Sequence, residues 1–225
     1  AGARPDEAAA DLRARGAAAF ARLIQLCPGP MQLPRGDLRH LAPPSAQGPL
    51  LRLCIAVGED IAPFILDRLG DPDPNVRFYS ALIFQELRAA AAAPHLAELA
   101  FDDDRDVRTV AMRVLETYGR APTYPRALQR IRGEFASDDP DRRHRAIQAL
   151  GTIRDVRSLP RLIDALADPA PPIRAAAVTA LCSITGQHFG AAAERWRSWL
   201  SDHADRHRVD GLIESLGHAD GAVRR

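Results

Sequence analysis

Histidine, cysteine and carboxylate are the side chains here that could hold a metal, and their spacing decides whether they do. His203 and His207 stand four residues apart, with Asp202 and Asp205 beside them. Two imidazoles at that spacing share a helix face and could each give a nitrogen to one zinc ion. A zinc site needs a third protein ligand; none is evident, so no metal is assigned. Cys27, Cys54 and Cys182 are odd in number and far apart, neither a disulfide framework nor a zinc set. They read as small buried residues in a reducing, cytoplasmic setting. All 30 basic residues are Arg, with no Lys anywhere in the 225. A Walker-type phosphate loop, a kinase nucleotide lysine and a pyridoxal Schiff base each need a lysine amine, so those chemistries are excluded within this sequence. No G-x-S-x-G, H-E-x-x-H or C-x-x-C occurs either. The sequence therefore assigns no catalytic residue and implies no cofactor.

Carboxylates are plentiful, but a repeat accounts for them. Three stretches, "DPDPNVRFYSALIFQEL" (71–87), "DDDRDVRTVAMRVL" (102–115) and "DPAPPIRAAAVTAL" (168–181), open on Asp and continue as an apolar helix pattern. With Val76 as offset zero, Ser80, Ile83, Phe84 and Leu87 fall at offsets 4, 7, 8 and 11. The same offsets from Val107 give Ala111, Val114, Leu115 and Tyr118; from Arg142 they give Ala146, Ala149, Leu150 and Ile153. From Ile173 they give Ala177, Ala180, Leu181 and Ile184. These positions form one face of an α-helix. The small residue at offset 4 lets a neighbouring helix come close. Offset 1 is Arg each time: Arg77, Arg108, Arg143 and Arg174.

A second helix follows each first one, with Pro63, Pro94, Pro125 or Pro160 in its opening turn, where a missing N–H is no loss. Those prolines lie 31, 31 and 35 residues apart, and "APFILDRL", "APHLAEL" and "LPRLIDAL" are near copies. A helix pair repeating at this period is an α-solenoid. Asp71, Asp102 and Asp168 then open successive units, where a carboxylate can cap a helix N-terminus. Val76, Val107 and Ile173 anchor the first buried layer, and the recurring Arg can pair with the Asp of a neighbouring repeat.

This in-phase pattern resembles the HEAT family, in particular the short bacterial HEAT-like repeats also found in phycobilin lyases, over roughly residues 49 to 218. The resemblance implies an all-α, right-handed solenoid of about five helix pairs. Since family members are mostly protein-binding scaffolds, it also implies that function. Arg142, where the pattern wants Val or Ile, predicts a looser or more exposed junction. Deoxyhypusine hydroxylase, an enzyme built from HEAT-like repeats, binds two irons through His-Glu pairs at helix starts. Here the comparable place reads His144-Arg145, and no His-Glu pair occurs. A bilin lyase-like maturation factor and a nucleic-acid-processing solenoid, like the HEAT-like DNA glycosylases, stay open as alternatives.

The irregular parts frame the repeat. Residues 6–26 read as one helix with Leu12, Gly16, Ala19, Phe20 and Leu23 at repeat offsets and Arg13 at offset 1: an N-terminal helix or a degenerate first repeat. Residues 27–49 are Pro- and Gly-rich, a loop covering the end of the stack or a docking segment using Met31, Leu33, Leu38 and Leu41. The domains expected are therefore 1–48, helix and loop, and 49–225, the repeats. Val223 and Arg224 would open a further repeat, so the stack is expected to continue. Trp196, Trp199 and Leu200 share a helix face and read as packing residues.

Composition bounds the partner. The chain is 46% hydrophobic with a formal net charge of +1, ordinary for a soluble protein and without a global field for nucleic acid or membrane. Abundant Ala, Arg and Pro with a single Asn suggest a GC-rich bacterial genome. No apolar run approaches the roughly 18 residues of a membrane span. Charge is uneven: residues 59–106 hold four Arg against eleven acids, and residues 120–161 hold ten Arg against five. A phosphate track needs continuous positive charge, and on the second helices Asp67, Glu98 and Asp164 interrupt it. A protein partner carrying an acidic segment fits better. Arg126 and Arg130 lie one turn apart on one second helix, and Arg157 and Arg161 have the same spacing at the next. The four are the candidate partner-binding residues; the plainer reading is that they pair with Glu134, Asp155 and Asp164 and solvate the surface.

Overall fold

Each first helix begins at a corner whose side chains replace missing backbone partners. In the computed structural model, which describes residues 5–31, 38 and 41–203, Asp73, Asp104 and Asp139 are the N-caps. Their carboxylates accept from the N–H groups of Asn75, of Asp106 and Val107, and of Asp141. Asp71, Asp102 and Asp168 stand two residues earlier and accept the N–H of the cap position at 2.9, 2.8 and 2.8 Å. Ser137 does the same through its hydroxyl at 3.3 Å. The Arg at offset 1 then closes the corner. Arg77, Arg108, Arg143 and Arg174 each donate from Nη1 to the carbonyls of those turns, from Asp71, Asp102, Ser137 and Asp168 respectively, at 2.7, 2.6, 2.8 and 2.8 Å.

At two places this Arg also reaches the next repeat. Arg77 Nε and Nη2 donate to Asp102 Oδ2 and Oδ1 at 2.7 and 2.8 Å, and Arg143 Nε lies 3.3 Å from Asp168 Oδ2. The first pair is bidentate, with side chains 16% and 6% exposed, so it is shielded from the screening that makes most surface pairs weak. The hydrogen bonds to Asp102 hold the Arg77 guanidinium above its ordinary pKa.

The chain divides into two compact units at Tyr118 and Gly119. The first holds α1 (Pro5–Arg15), α2 (Ala17–Leu26), α3 (Pro44–Gln47), α4 (Pro49–Val57), α5 (Ala62–Asp67), α6 (Pro74–Leu87), α7 (Ala92–Glu98) and α8 (Arg105–Glu116). Helices α1, α4, α6 and α8 pack in series, α2 packs on α5, and α7 packs on α8. Short 3₁₀ turns, Arg68–Gly70 and Leu99–Phe101, prolong α5 and α7. Helix α6 is buried nearly all round, from Val76 through Leu87, because α4, α8 and the short α3 all lie against it. Tyr118 is buried and donates to the Phe84 carbonyl at 3.0 Å; that burial raises its pKa.

One expectation for this unit is corrected. The single helix over 6–26 is two helices, broken at Gly16, whose φ of 70° and ψ of −152° lie outside the helical basin. Only glycine adopts that backbone without strain, so α1 and α2 form a first helix pair. Phe20 meets Phe64 edge-on at 5.8 Å, joining α2 to α5. Arg13 does not close a corner; its Nε donates to the Val57 carbonyl at 2.9 Å, at the end of α4. Cys27 and Cys54, far apart in sequence, are neighbours in space, with sulfurs 3.5 Å apart. Within 27–49, α3 packs on α4 and α6, with Pro44 and Gln47 buried. Met31, Leu38 and Leu41 are half-buried there; Leu33 lies outside the described residues.

The second unit holds α9 (Tyr124–Gly133), α10 (Pro140–Thr152), α11 (Leu159–Asp164), α12 (Pro171–Thr185) and α13 (Ala193–Asp202). Helix α10 packs on α12 so closely that a Cβ at Gly151 would stand 2.8 Å from Ala180 Cβ. Ser183 Oγ donates to the Gly151 carbonyl at 3.1 Å across the same seam. Trp196 is 1% exposed in a core of Ile147, Leu159, Leu162, Ile173 and Leu181. Its Nε1 donates to the Gly190 carbonyl at 2.8 Å, and Phe189 meets the indole edge-on at 4.8 Å. Trp199 and Leu200 pack only partly buried against this core. The α13 stripe is packing, and Trp196 carries most of it. Every described element is helix or turn, with no strand among the described residues.

Candidate protein-docking site

Where the second helices α9 and α11 run out into 3₁₀ turns, Glu134–Ala136 and Ala165–Ala167, small side chains leave space between repeats. A pocket of about 360 Å³ opens there, inside the second unit. Phe135 and Ala136 line it from one turn, Ala165 and Ala167 from the other, with Ile147 of α10 and Ile173 of α12. Its polar wall is Arg143, Arg161, Asp164 and Asp168. The volume lies at the low end for ligand sites and suits one or two side chains of a bound segment.

The charges around it are ordered rather than loose. Arg161 Nη1 donates to the Arg132 carbonyl at 3.1 Å, and its guanidinium lies over the Phe135 ring, 5.9 Å from the centroid. Arg132 in turn grips Asp155, Nε to Oδ2 at 2.7 Å and Nη2 to Oδ1 at 2.5 Å. Asp155 is buried and is also bonded by the Ser158 hydroxyl. This chain of contacts fixes the start of α11 against the end of α9 and so sets the pocket mouth. Nothing in the repeat pattern singles out Arg132 or Asp155. Asp155 is expected to pair with an arginine, but with Arg126, Arg130, Arg157 or Arg161 rather than with Arg132.

Glu134 is the other anchor. Arg142 donates to it from Nε and Nη2 at 2.8 and 2.9 Å, and Arg130 Nη1 approaches at 3.2 Å. The hydrogen bonds from Arg142, and after them the charges of Arg142 and Arg130 against some desolvation, lower the Glu134 pKa. The junction expected to be looser or more exposed at Arg142 is the more exposed one, its side chain 39% exposed where Val107 and Ile173 are buried, but it is not loose: the long side chain turns to Glu134 and closes it with this ion pair.

Of the four arginines picked from the sequence, Arg161 lines the pocket and Arg130 stands on α9 beside Glu134. Arg126 on α9 and Arg157 in the turn before α11 are exposed. All three acids expected to pair with them meet other arginines: Glu134 meets Arg142 as well as Arg130, Asp155 meets Arg132, and Asp164 meets Arg197 at 3.7 Å. All four arginines lie on second helices or in the turns that lead to them.

The chemistry set aside in the sequence has this structural setting. His203 Nδ1 lies 2.8 Å from the Trp199 carbonyl and its ring stacks on Trp199 at 4.5 Å. His207 and Asp205 lie outside the described residues. Among the described residues no three His, Cys, Asp or Glu side chains gather as a metal set, and no helix is long and apolar enough to cross a membrane. The described pocket can hold a ligand by apolar burial and by charge. A family profile described as HEAT repeats matches residues 62–142 and 125–225. No curated protein matches the chain.

Proposed function

The chain belongs to the HEAT-repeat family, and from that premise we propose that it is a protein-interaction scaffold without catalytic chemistry of its own, holding an acidic segment of a protein partner on its second unit. One observation carries the reading: an apolar pocket of about 360 Å³ whose mouth is set by Arg161, on the most basic stretch of the chain. Arg126, Arg130 and Arg157 extend that positive surface, and Arg143, held by Asp168, lines the pocket beneath it. An apolar side chain of the partner enters the pocket, and its acidic neighbours meet the arginines. Charge then steers and selects, while burial supplies most of the affinity.

Nucleic acid is disfavoured at the same place. A phosphate backbone needs a continuous positive track, and the Arg excess is confined to residues 120–161, while residues 59–106 hold four Arg against eleven acids. The test uses labelled peptides with one aromatic or aliphatic residue flanked by Asp and Glu, and the same peptides with Asn and Gln instead. Fluorescence anisotropy should show the acidic peptides binding more tightly than the neutral ones, more weakly as salt rises, with Arg161→Glu removing most of that difference. Equal binding of acidic and neutral peptides would contradict the proposal.

A further inference from the structure

Two sulfurs in the first unit form a site that the scaffold reading does not use. Cys27 follows the last residue of α2 and is half-buried. Cys54 is on α4 and fully buried. Their Sγ atoms are 3.5 Å apart, within thiol hydrogen-bonding range. Arg68, in the turn after α5, adds positive charge near Cys27. Its Nη1 pairs with Asp71 Oδ2 at 2.7 Å, while its Nε is buried without a hydrogen-bond partner. Hydrogen bonding with Cys54 lowers the Cys27 pKa against the effect of burial, with Arg68 adding to the lowering, and the same bond together with burial pushes Cys54 up. The roles are therefore unequal: one sulfur half-buried near a cation, the other fully buried next to it.

We propose that Cys27 and Cys54 are a reversible oxidation site, with Cys27 the thiol that reacts with hydroperoxides and Cys54 the one that resolves it into a disulfide joining α2 to α4. The Cys27 thiolate attacks one oxygen of hydrogen peroxide; the S–O bond forms as the O–O bond breaks, and hydroxide leaves to become water. The Cys54 thiol loses its proton and attacks the Cys27 sulfur. The S–S bond forms as the S–O bond breaks, and the departing hydroxide takes up that proton as a second water. Overall, two thiols and one peroxide give one disulfide and two waters. The sulfurs close from 3.5 Å to about 2.0 Å, a small shift for a side chain at a helix end meeting one within α4. A thiol-reducing system restores the pair. Cys182 is half-buried with no cysteine beside it and serves as the internal reference.

The experiment uses the full chain at pH 7, reduced and then exposed to hydrogen peroxide. Peptide mapping should find the Cys27–Cys54 disulfide, lost on adding dithiothreitol, while Cys182 stays reduced. Cys27 should be consumed at least about threefold faster than Cys182, as a thiol near a cation is. In Cys54→Ser the sulfenic acid on Cys27 should persist and be trapped by dimedone. Arg68→Met should slow Cys27 oxidation and Arg68→Lys should restore it. The proposal is overturned if native Cys182 reacts as fast as Cys27, or if peroxide yields no Cys27–Cys54 linkage. That comparison is made on the wild-type protein and does not depend on any variant folding.

Discussion

Replacing Trp196 is the sharpest test of how the second unit is held together. Trp196 is 1% exposed, surrounded by Ile147, Leu159, Leu162, Ile173 and Leu181, and bonded through Nε1 to Gly190. Truncation to Ala removes an entire buried indole, and such changes cost about 3–5 kcal/mol. Of that, about 1 kcal/mol is the hydrogen bond, so Trp196→Phe, which keeps a ring against Phe189, should cost about 1–2 kcal/mol. Trp199 is only partly buried against the same core, so Trp199→Ala should cost less than Trp196→Ala, about 1–2 kcal/mol. Urea unfolding followed by far-ultraviolet circular dichroism measures all three. At about 2–4 °C per kcal/mol for a chain of this size, Trp196→Ala should lower Tm by about 6–20 °C. If Trp199→Ala proved the more damaging, the assignment of Trp196 as the main packing residue would be wrong.

Three further outcomes follow from the contacts. Gly151→Ala should destabilise by about 1–3 kcal/mol, since its Cβ would stand 2.8 Å from Ala180 Cβ, and Ala180→Gly in the same chain should recover part of the loss in urea unfolding. Asp102→Ala should cost about 2–4 kcal/mol, because it leaves Arg77 uncompensated and opens the turn at Asp104; Asp102→Asn, which keeps the turn acceptor, should cost less in the same assay. Glu134 has a folded pKa below its unfolded value, so its contribution is full above about pH 4.3 and is lost as pH falls through the lower, folded value. Tm measured against pH should therefore decline less steeply in that acid range for Glu134→Gln than for wild type; parallel declines would remove Glu134 from the account.

The helix pairs were legible because burial repeats. Of the sixteen residues at offsets 4, 7, 8 and 11, all but Ile184 are buried, and a face that must stay covered writes its period into the sequence. The Arg at offset 1 was legible as a partner for Asp, but its first task, bonding the carbonyls of its own corner, involves backbone groups that every residue shares. The break at Gly16 was hidden because an amphipathic pattern runs on through a two-helix turn. Cys27 and Cys54 meet across the irregular segment 27–48, where no period relates the two positions. The pocket was hidden for a similar reason: it exists because Ala136, Ala165 and Ala167 are small where two turns approach, and absence of bulk has no motif. Arg161 could be picked out by charge and Asp155 as a partner for an arginine, yet Arg132, which grips Asp155 and so holds the turn before α11, differs from its neighbours only in where it ends up.

The most direct measurement is quantitative capture of protein partners by the wild-type chain and by Arg126→Glu/Arg130→Glu/Arg161→Glu, in low salt, followed by mass spectrometry. Each exposed charge contact is worth about 0.5–1 kcal/mol, so three lost together weaken capture by about tenfold or more. The account predicts that depletion for partners with an acidic segment, with the triple variant keeping the circular-dichroism spectrum of the folded chain at the assay temperature. Undiminished capture by the folded triple variant, at the ionic strength where screening is least, would contradict it.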